Sequence, residues 1–351
     1  MARDNGLHMS NYQTEKHQMY TERIRAALIE LPPFCGEFFR GIENTTSVLT
    51  RFAYTSDLKL FFNYIIDQSI ITKKINEFTL QDLDQLKAEH LEMFLEYVSF
   101  YCLSDAEREN HERAKARKLA AIRSLLKYFF KKEKISSNVG GLVDIPKIHE
   151  KQIVRLDANE VADLLDGVES GEVLSPRQQT YHALTKKRDI AILTLLLGTG
   201  IRVSELVGLN IGDIDFETNR FVVTRKGGNQ AVLYFGEEVC KALLQYIDER
   251  KKIFADEDEA LFLSLQKKRI NQRSVQLLVK KYSHATVPLK KISPHKLRST
   301  YGTMLYQETG DIYLVADVLG HKDVNTTKKH YAAIEEDRRK LAAKVVKLRE
   351  D

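Results

Sequence analysis

Tryptophan is absent from this 351-residue chain, and its three cysteines, Cys35, Cys102 and Cys240, stand far apart. They form no C-x-x-C pair, so neither a zinc site nor a disulfide framework is indicated, and a reducing cytoplasm fits. Long apolar runs are also missing. The longest, Ile190 to Leu197, is far too short to span a bilayer, and the polar start M-A-R-D-N-G-L-H-M-S has no signal-peptide core. These absences point to a cytoplasmic chain with no membrane partner. No G-x-x-x-x-G-K-[ST] loop occurs, which removes the usual phosphate cradle of nucleotide-driven enzymes. Gly198-x-Gly200 is not a dinucleotide fingerprint, because it follows an apolar helical stretch rather than a strand and lacks the third glycine. Neither sign of charge dominates. The net charge of +5 permits a nucleic-acid partner without demanding one.

Glycine and proline are missing altogether between Gly41 and Gly140, which favours a compact helical bundle there. Residues 48–68 place Phe52, Leu58, Phe61, Phe62, Ile65 and Ile66 at helical spacing. Thr79 is placed to cap a short helix before Asp82. Further helices are expected from about Ala88 to Cys102 and from about Arg108 to Phe130, the second with Leu119, Ile122, Leu126, Phe129 and Phe130 on one face. This bundle is predicted to span 11–132. A linker with a Ser-Ser-Asn run, Gly140-Gly141 and Pro146 follows over 133–153, and a second domain covers 154–351.

In the second domain a helix is expected from Asp157 or Asn159 through Leu165, and an apolar one over Asp189–Leu197. Only Ile211 to Phe235 reads as sheet, alternating through I-D-I-D-F, R-F-V-V-T-R-K and A-V-L-Y-F around a Gly227-Gly228-Asn229 turn. Helices then run to the end, and the last, from about Glu335, carries Leu341, Val345 and Leu348. The fold class expected is mainly α with a small antiparallel β-sheet, an α+β chain.

Four short stretches carry the chemistry: G-T-G-I-R-V-S-E-L over 198–206, V-V-T-R-K-G-G over 222–228, P-H-K-L-R-S-T-Y over 294–301, and L-G-H-K-D-V-N-T-T-K-K-H-Y over 319–331. A phosphodiester under attack gains negative charge on the way to its pentacoordinate transition state, and without a metal that charge needs fixed cations and donors. Arg202 and Arg298 suit the task because a planar guanidinium fork holds two phosphate oxygens at once. Glu205 is placed to orient Arg202. Arg298 follows His295 by three residues, so one helix presents both on the same side. His295 and His321 can donate hydrogen bonds or move protons near neutral pH. Arg225 cannot act as a proton donor there, since its pKa lies above ~12, and strand alternation turns it away from Lys226. His321 and His330 have no third ligand at a suitable spacing, so no metal and no other cofactor is expected.

In these motifs the chain resembles the tyrosine recombinases of the Xer/phage-integrase type. The resemblance is architectural in the first domain and extends to motifs from about Lys187 to Tyr331. It implies a C-shaped clamp on DNA, with an N-terminal core-binding domain and a C-terminal catalytic domain. It also implies that Tyr331 attacks phosphorus to give a 3′-phosphotyrosine, that Lys226 protonates the leaving 5′ oxygen, and that His295 takes the tyrosine proton. One departure from the family pattern stands out. Its nucleophile usually sits nine residues after the L-G-H histidine, where this chain has His330, with Tyr331 next.

The implied partner is double-stranded DNA with a short, partly palindromic site, bound by a homotetramer at synapsis, with a partner recombinase or accessory protein left open. The helix from about Glu335 is expected to dock on a neighbouring protomer. A cytoplasmic, nucleoid-associated location follows. Candidate DNA contacts are Arg113, Lys115, Arg117 and Lys118 on the basic face of the Arg108–Phe130 helix, and Asn271, Gln272, Arg273 and Gln276 on a helix over 271–284. Two alternatives share parts of this pattern: a type IB topoisomerase, and a site-specific DNA-binding protein with impaired catalysis. Chromosome-dimer resolution, mobile-element integration and inversion are not separated at this stage.

Overall fold

The computed structural model describes residues 11–103, 106–148, 154–225, 229–253, 259–321 and 324. The chain divides into two compact units, with the boundary between Lys151 and Gln152. Both are mainly helical, and each carries one small antiparallel sheet.

The first unit is built on the helices Asn11–Leu28, Cys35–Gly41, Val48–Asp67, Leu80–Asp84, Ala88–Tyr97 and Glu112–Lys131. Ser47 starts the long third helix by accepting from the Thr50 backbone N–H, and Thr79 caps Leu80–Asp84 through Asp82. The core is aromatic. Phe38, Phe61, Phe62, Phe94 and Phe129 are buried with Leu58, Ile65, Leu119, Ile122 and Leu126, while Phe52 and Ile66 lie at its margin. Phe61 meets Phe94 edge-on with ring centroids 5.1 Å apart. Phe130 does not join this face. It is 45% exposed, because one residue beyond Phe129 turns ~100° around the helix.

The sheet here is a correction to the sequence reading. The helix expected to reach Cys102 stops at Tyr97, and the next starts at Glu112 rather than Arg108. Between them Phe100–Leu103 pairs antiparallel with Ala106–Glu109, Phe100 opposite Glu109 and Tyr101 opposite Arg108. The run Phe-Tyr-Cys favours a pleated strand over a helix. Asn110 closes the hairpin, with its side-chain amide donating to the Val98 carbonyl at 2.7 Å.

In the second unit the helix Ala158–Ser170, capped by Asp157, runs past the expected Leu165 to the left-handed Gly171. The apolar stretch 189–197 proves to be the end of a longer helix, Pro176–Thr199. Ala191, Ile192, Leu193, Leu195 and Leu196 are fully buried, so the end of this helix is covered on nearly every side, while its first turns are largely exposed. It packs against Glu237–Ile253 and Pro294–Thr309. The expected sheet is present, with Arg220–Thr224 between Ile214–Asp215 and Gln230–Tyr234 and Phe221 opposite Leu233. Ile211–Asp213 is a 3-10 turn rather than strand. The short Val203–Leu206, Gln272–Thr286 and Ile312–Leu319 complete the named helices among the described residues. Among the described residues no helix is long and apolar enough to cross a membrane.

Candidate active site

The site is assembled at the end of the helix Ile312–Leu319. This helix finishes in a Schellman turn. The Gly320 N–H returns to the Asp317 carbonyl at 2.8 Å, and the His321 N–H to that of Ala316 at 2.9 Å. Gly320 takes φ +59°, a left-handed conformation that glycine adopts without strain. The turn places His321 directly after the helix. It also leaves the carbonyls of Val318, Leu319 and Gly320 pointing off the helix end, where the backbone dipole favours cations.

Three guanidinium groups meet those carbonyls. Arg202 Nη2 donates to Leu319 O at 3.2 Å and to Gly320 O at 3.1 Å. Arg298 Nη2 donates to the same Leu319 carbonyl, and its Nη1 to the carbonyl of Gly200. Arg225 Nη2 donates to Val318 O at 2.8 Å, and its Nη1 to Asp317 O at 3.3 Å. Arg202 and Arg298 therefore share one acceptor and lie side by side.

Local sequence explains how each arrives. The helix Pro176–Thr199 stops at Gly200, φ +61°, where a Cβ would lie 2.5 Å from the ring of Tyr301. That close approach lets the Gly200 carbonyl meet Arg298. Two residues on, Arg202 opens the short helix Val203–Leu206. Its backbone N–H donates to Glu205 Oε2 at 3.0 Å and its Nη1 to Glu205 Oε1 at 2.8 Å, so the buried Glu205 orients the fork as the spacing predicts. Arg298 projects inward from Pro294–Thr309 and is 5% exposed. His295, in the first turn of that helix, is exposed. Burial pushes the Tyr301 phenol up from its ordinary value.

The arrangement concentrates three permanent cations around one helix end, with Glu205 paired to one of them. Such a cluster can take an anionic oxygen with little reorganisation. Arg202, Arg298 and His321 are brought together, and His295 stands one turn from Arg298. Lys226 and Tyr331 lie outside the described residues, as do His330 and the segment from about Glu335. The sequence excludes Arg225 as a proton donor but does not show what it binds. Its partner lies 92 residues away, at Asp317, which no local pattern reveals. Among the described residues no group of His, Cys, Asp and Glu is placed to hold a metal ion.

The sequence pattern of the phage integrase family matches residues 155–338, which contain all four motifs. The chain is 34% identical to the "Tyrosine recombinase XerC" of Caldanaerobacter subterraneus subsp. tengcongensis, with 86% of this chain and 83% of the relative covered. The chain belongs to the phage integrase family. It is a site-specific tyrosine recombinase, a DNA strand-transferring enzyme. A similar match, 28% identical over 92% of this recombinase and 98% of the relative, is to the "Tyrosine recombinase XerS" of Lactococcus lactis subsp. cremoris. Among solved structures the fold is shared with the XerH site-specific recombinase bound to palindromic difH substrate, at TM-score 0.62 and 20% identity, covering 81% of this recombinase and 76% of that chain. It is shared too with a lambda integrase dimer bound to a core site, at TM-score 0.55 and 17% identity, covering 84% and 94%.

The candidate DNA contacts separate on inspection. On Glu112–Lys131, Arg113 is exposed. Lys115 donates to Ser99 Oγ at 3.2 Å, and Arg117 is paired with the buried Asp57. Lys118 is a correction. It is 5% exposed, and its ammonium donates to Asn110 Oδ1 at 3.1 Å, so it holds the hairpin to the bundle rather than facing solvent. Burial pushes the Asp57 carboxyl up against the pull of Arg117 and Lys118, and burial pushes the Lys118 ammonium down. On Gln272–Thr286, Asn271 is the N-cap, accepting from the Ser274 N–H at 2.8 Å. Gln272 is half-buried, and Arg273 and Gln276 are exposed one turn apart.

Proposed function

We propose that this recombinase exchanges strands between two short, partly palindromic duplex sites. Tyr331 Oη attacks the scissile phosphorus while its proton passes to His295. The bond from phosphorus to the 5′ oxygen breaks, and Lys226 supplies the proton to that oxygen. The products are a 3′-phosphotyrosine and a free 5′ hydroxyl. Attack by a 5′ hydroxyl reverses each proton transfer and reseals the strand, so no nucleotide is consumed. Arg202, Arg298 and His321 hold the non-bridging oxygens as charge develops on them. Four protomers exchange strands in pairs through a Holliday junction, and the segment after Tyr331 docks on a neighbouring protomer. The DNA named with the solved relatives supports duplex DNA as the substrate, and a cytoplasmic, nucleoid-associated location goes with it.

The observation that carries this reading is the shared Leu319 carbonyl, which sets two arginine forks beside each other two residues before His321. The test begins with duplexes enriched for binding from a randomised pool and nicked beside the scissile phosphate. These are expected to give a detergent-resistant, protease-sensitive adduct in EDTA with no nucleotide added. Cleavage that stops on chelation and returns with magnesium contradicts the proposal.

DNA contact is assigned to Arg113, Arg273 and Gln276, with smaller parts for Lys115, Arg117, Asn271 and Gln272. Arg113→Ala is expected to lower the slope of log affinity against log salt by about 1. Lys118→Met is expected to leave that slope unchanged while lowering the melting temperature, because its partner is Asn110. Salt titrations of both variants on one duplex check this.

A further inference from the structure

Arg225 is the last described residue before Lys226, and it is tied down on both sides. Its backbone N–H donates to the Asn229 carbonyl at 2.7 Å, closing the base of the loop between Arg220–Thr224 and Gln230–Tyr234. Its side chain crosses to the other half of the site and donates to the carbonyls of Val318 and Asp317, at 2.8 and 3.3 Å. The guanidinium sits against Gly320, where a Cβ would come within 2.2 Å of Nη1. The glycine of the Schellman turn is thus also the seat of this arginine. Arg225 Nε is buried with no partner among the described residues, so the two terminal nitrogens carry the contact.

The geometry points to Arg225 as a positioning residue that pins the root of the Lys226 loop to the helix end from which His321 emerges. The two groups belong to separate elements, a strand loop and a helix turn. A lysine has a flexible stem, and its ammonium delivers a proton efficiently only if its backbone anchor is fixed relative to the phosphate. Two bonds from one planar fork fix both distance and orientation, at the negative end of a helix dipole that favours the cation. Arg225 itself donates no proton to the leaving group. Its effect on the rate passes through Lys226. This inference rests on the proposed role of Lys226, and the test separates the two.

Cleavage is measured for Arg225→Ala, Lys226→Ala and the double variant on a nicked duplex, and again on the same duplex with sulfur replacing the bridging 5′ oxygen. A thiolate leaves without a proton, so loss of the general acid matters little there. Lys226→Ala is expected to slow cleavage of the oxygen substrate by about 10²-fold or more, and Arg225→Ala by about 10²-fold. The double variant is expected to match Lys226→Ala alone, and sulfur to restore both single variants to within a few-fold of the parent. If Lys226→Ala is equally slow on both substrates, its role as proton donor fails, but coupling in the double variant still upholds Arg225. Multiplying defects, or a Lys226→Ala of parental rate, overturn the Arg225 proposal. Sulfur rescue of Lys226→Ala without rescue of Arg225→Ala does so too. Should Arg225→Ala lower the melting temperature, Arg225→Lys replaces it in the same cycle, keeping the cation but losing the fork.

Discussion

Tyr331→Phe is expected to lower covalent adduct formation on a nicked duplex by about 10³-fold or more, while duplex affinity stays within a few-fold of the parent. Phenylalanine removes the nucleophilic oxygen and little else. His330→Ala provides the contrast, because His330 occupies the position nine residues after His321, next to Tyr331. A one-residue shift rotates a helical side chain ~100°. Imidazole at that point would not give the stable ester on which strand rejoining depends. If the nucleophile is Tyr331, adduct yield collapses in Tyr331→Phe and persists in His330→Ala. Adducts that persist in Tyr331→Phe and vanish in another tyrosine variant would place the nucleophile elsewhere.

The second large effect concerns the paired arginines, which are expected to separate in stability though not in activity. Arg298 is buried and donates to the carbonyls of Gly200 and Leu319. Arg298→Ala strands the Gly200 carbonyl, at a cost of about 1–3 kcal/mol, leaves the Leu319 carbonyl to Arg202 alone, and removes a donor to the phosphate. Melting temperature and cleavage are both expected to fall, cleavage by about 10²–10³-fold. Arg202 is more open, its side chain 36% exposed, and it shares its Leu319 acceptor with Arg298. Arg202→Ala is expected to lose cleavage to a similar degree with a smaller fall in melting, since the buried Glu205 loses the guanidinium but keeps the bond from the backbone N–H of position 202. Arg298→Lys does not restore activity, because an ammonium cannot span Gly200 and Leu319 together. Parallel thermal melts and single-turnover cleavage check the contrast. Equal destabilisation by the two alanine variants contradicts it.

Much of this was legible before any coordinates. The period of Leu58, Phe61, Phe62 and Ile65 marked a buried helix face, and Thr79 with Asp82 marked a cap, because both signals are local. The Glu205 contact with Arg202 was readable for the same reason, three residues along one short helix. The alternation around Phe221 and Val223 gave the sheet. Other features were not readable, because their cause is tertiary. The Phe100–Glu109 hairpin takes in the adjoining ends of two stretches that read as helix, since strand pairing and the Asn110 bond outweigh a weak local preference. Lys118 looks solvated in a basic run, yet Asn110 and Asp57 give it a buried home. Phe130 reads as core because it adjoins Phe129, although the helix turns it outward. Arg202 and Arg225 reach the helix end that Arg298 also meets through contacts across about a hundred residues, which spacing alone does not encode.

The most direct measurement is the identity of the residue that carries the DNA. The adduct trapped on a nicked duplex is digested with protease and nuclease, and the nucleotide-bearing peptide is sequenced by mass spectrometry. The account predicts a peptide spanning Tyr331, with the nucleotide joined through its 3′ phosphate to the Tyr331 oxygen. A nucleotide on His330 or on any other side chain, or one linked through a 5′ phosphate, would contradict it.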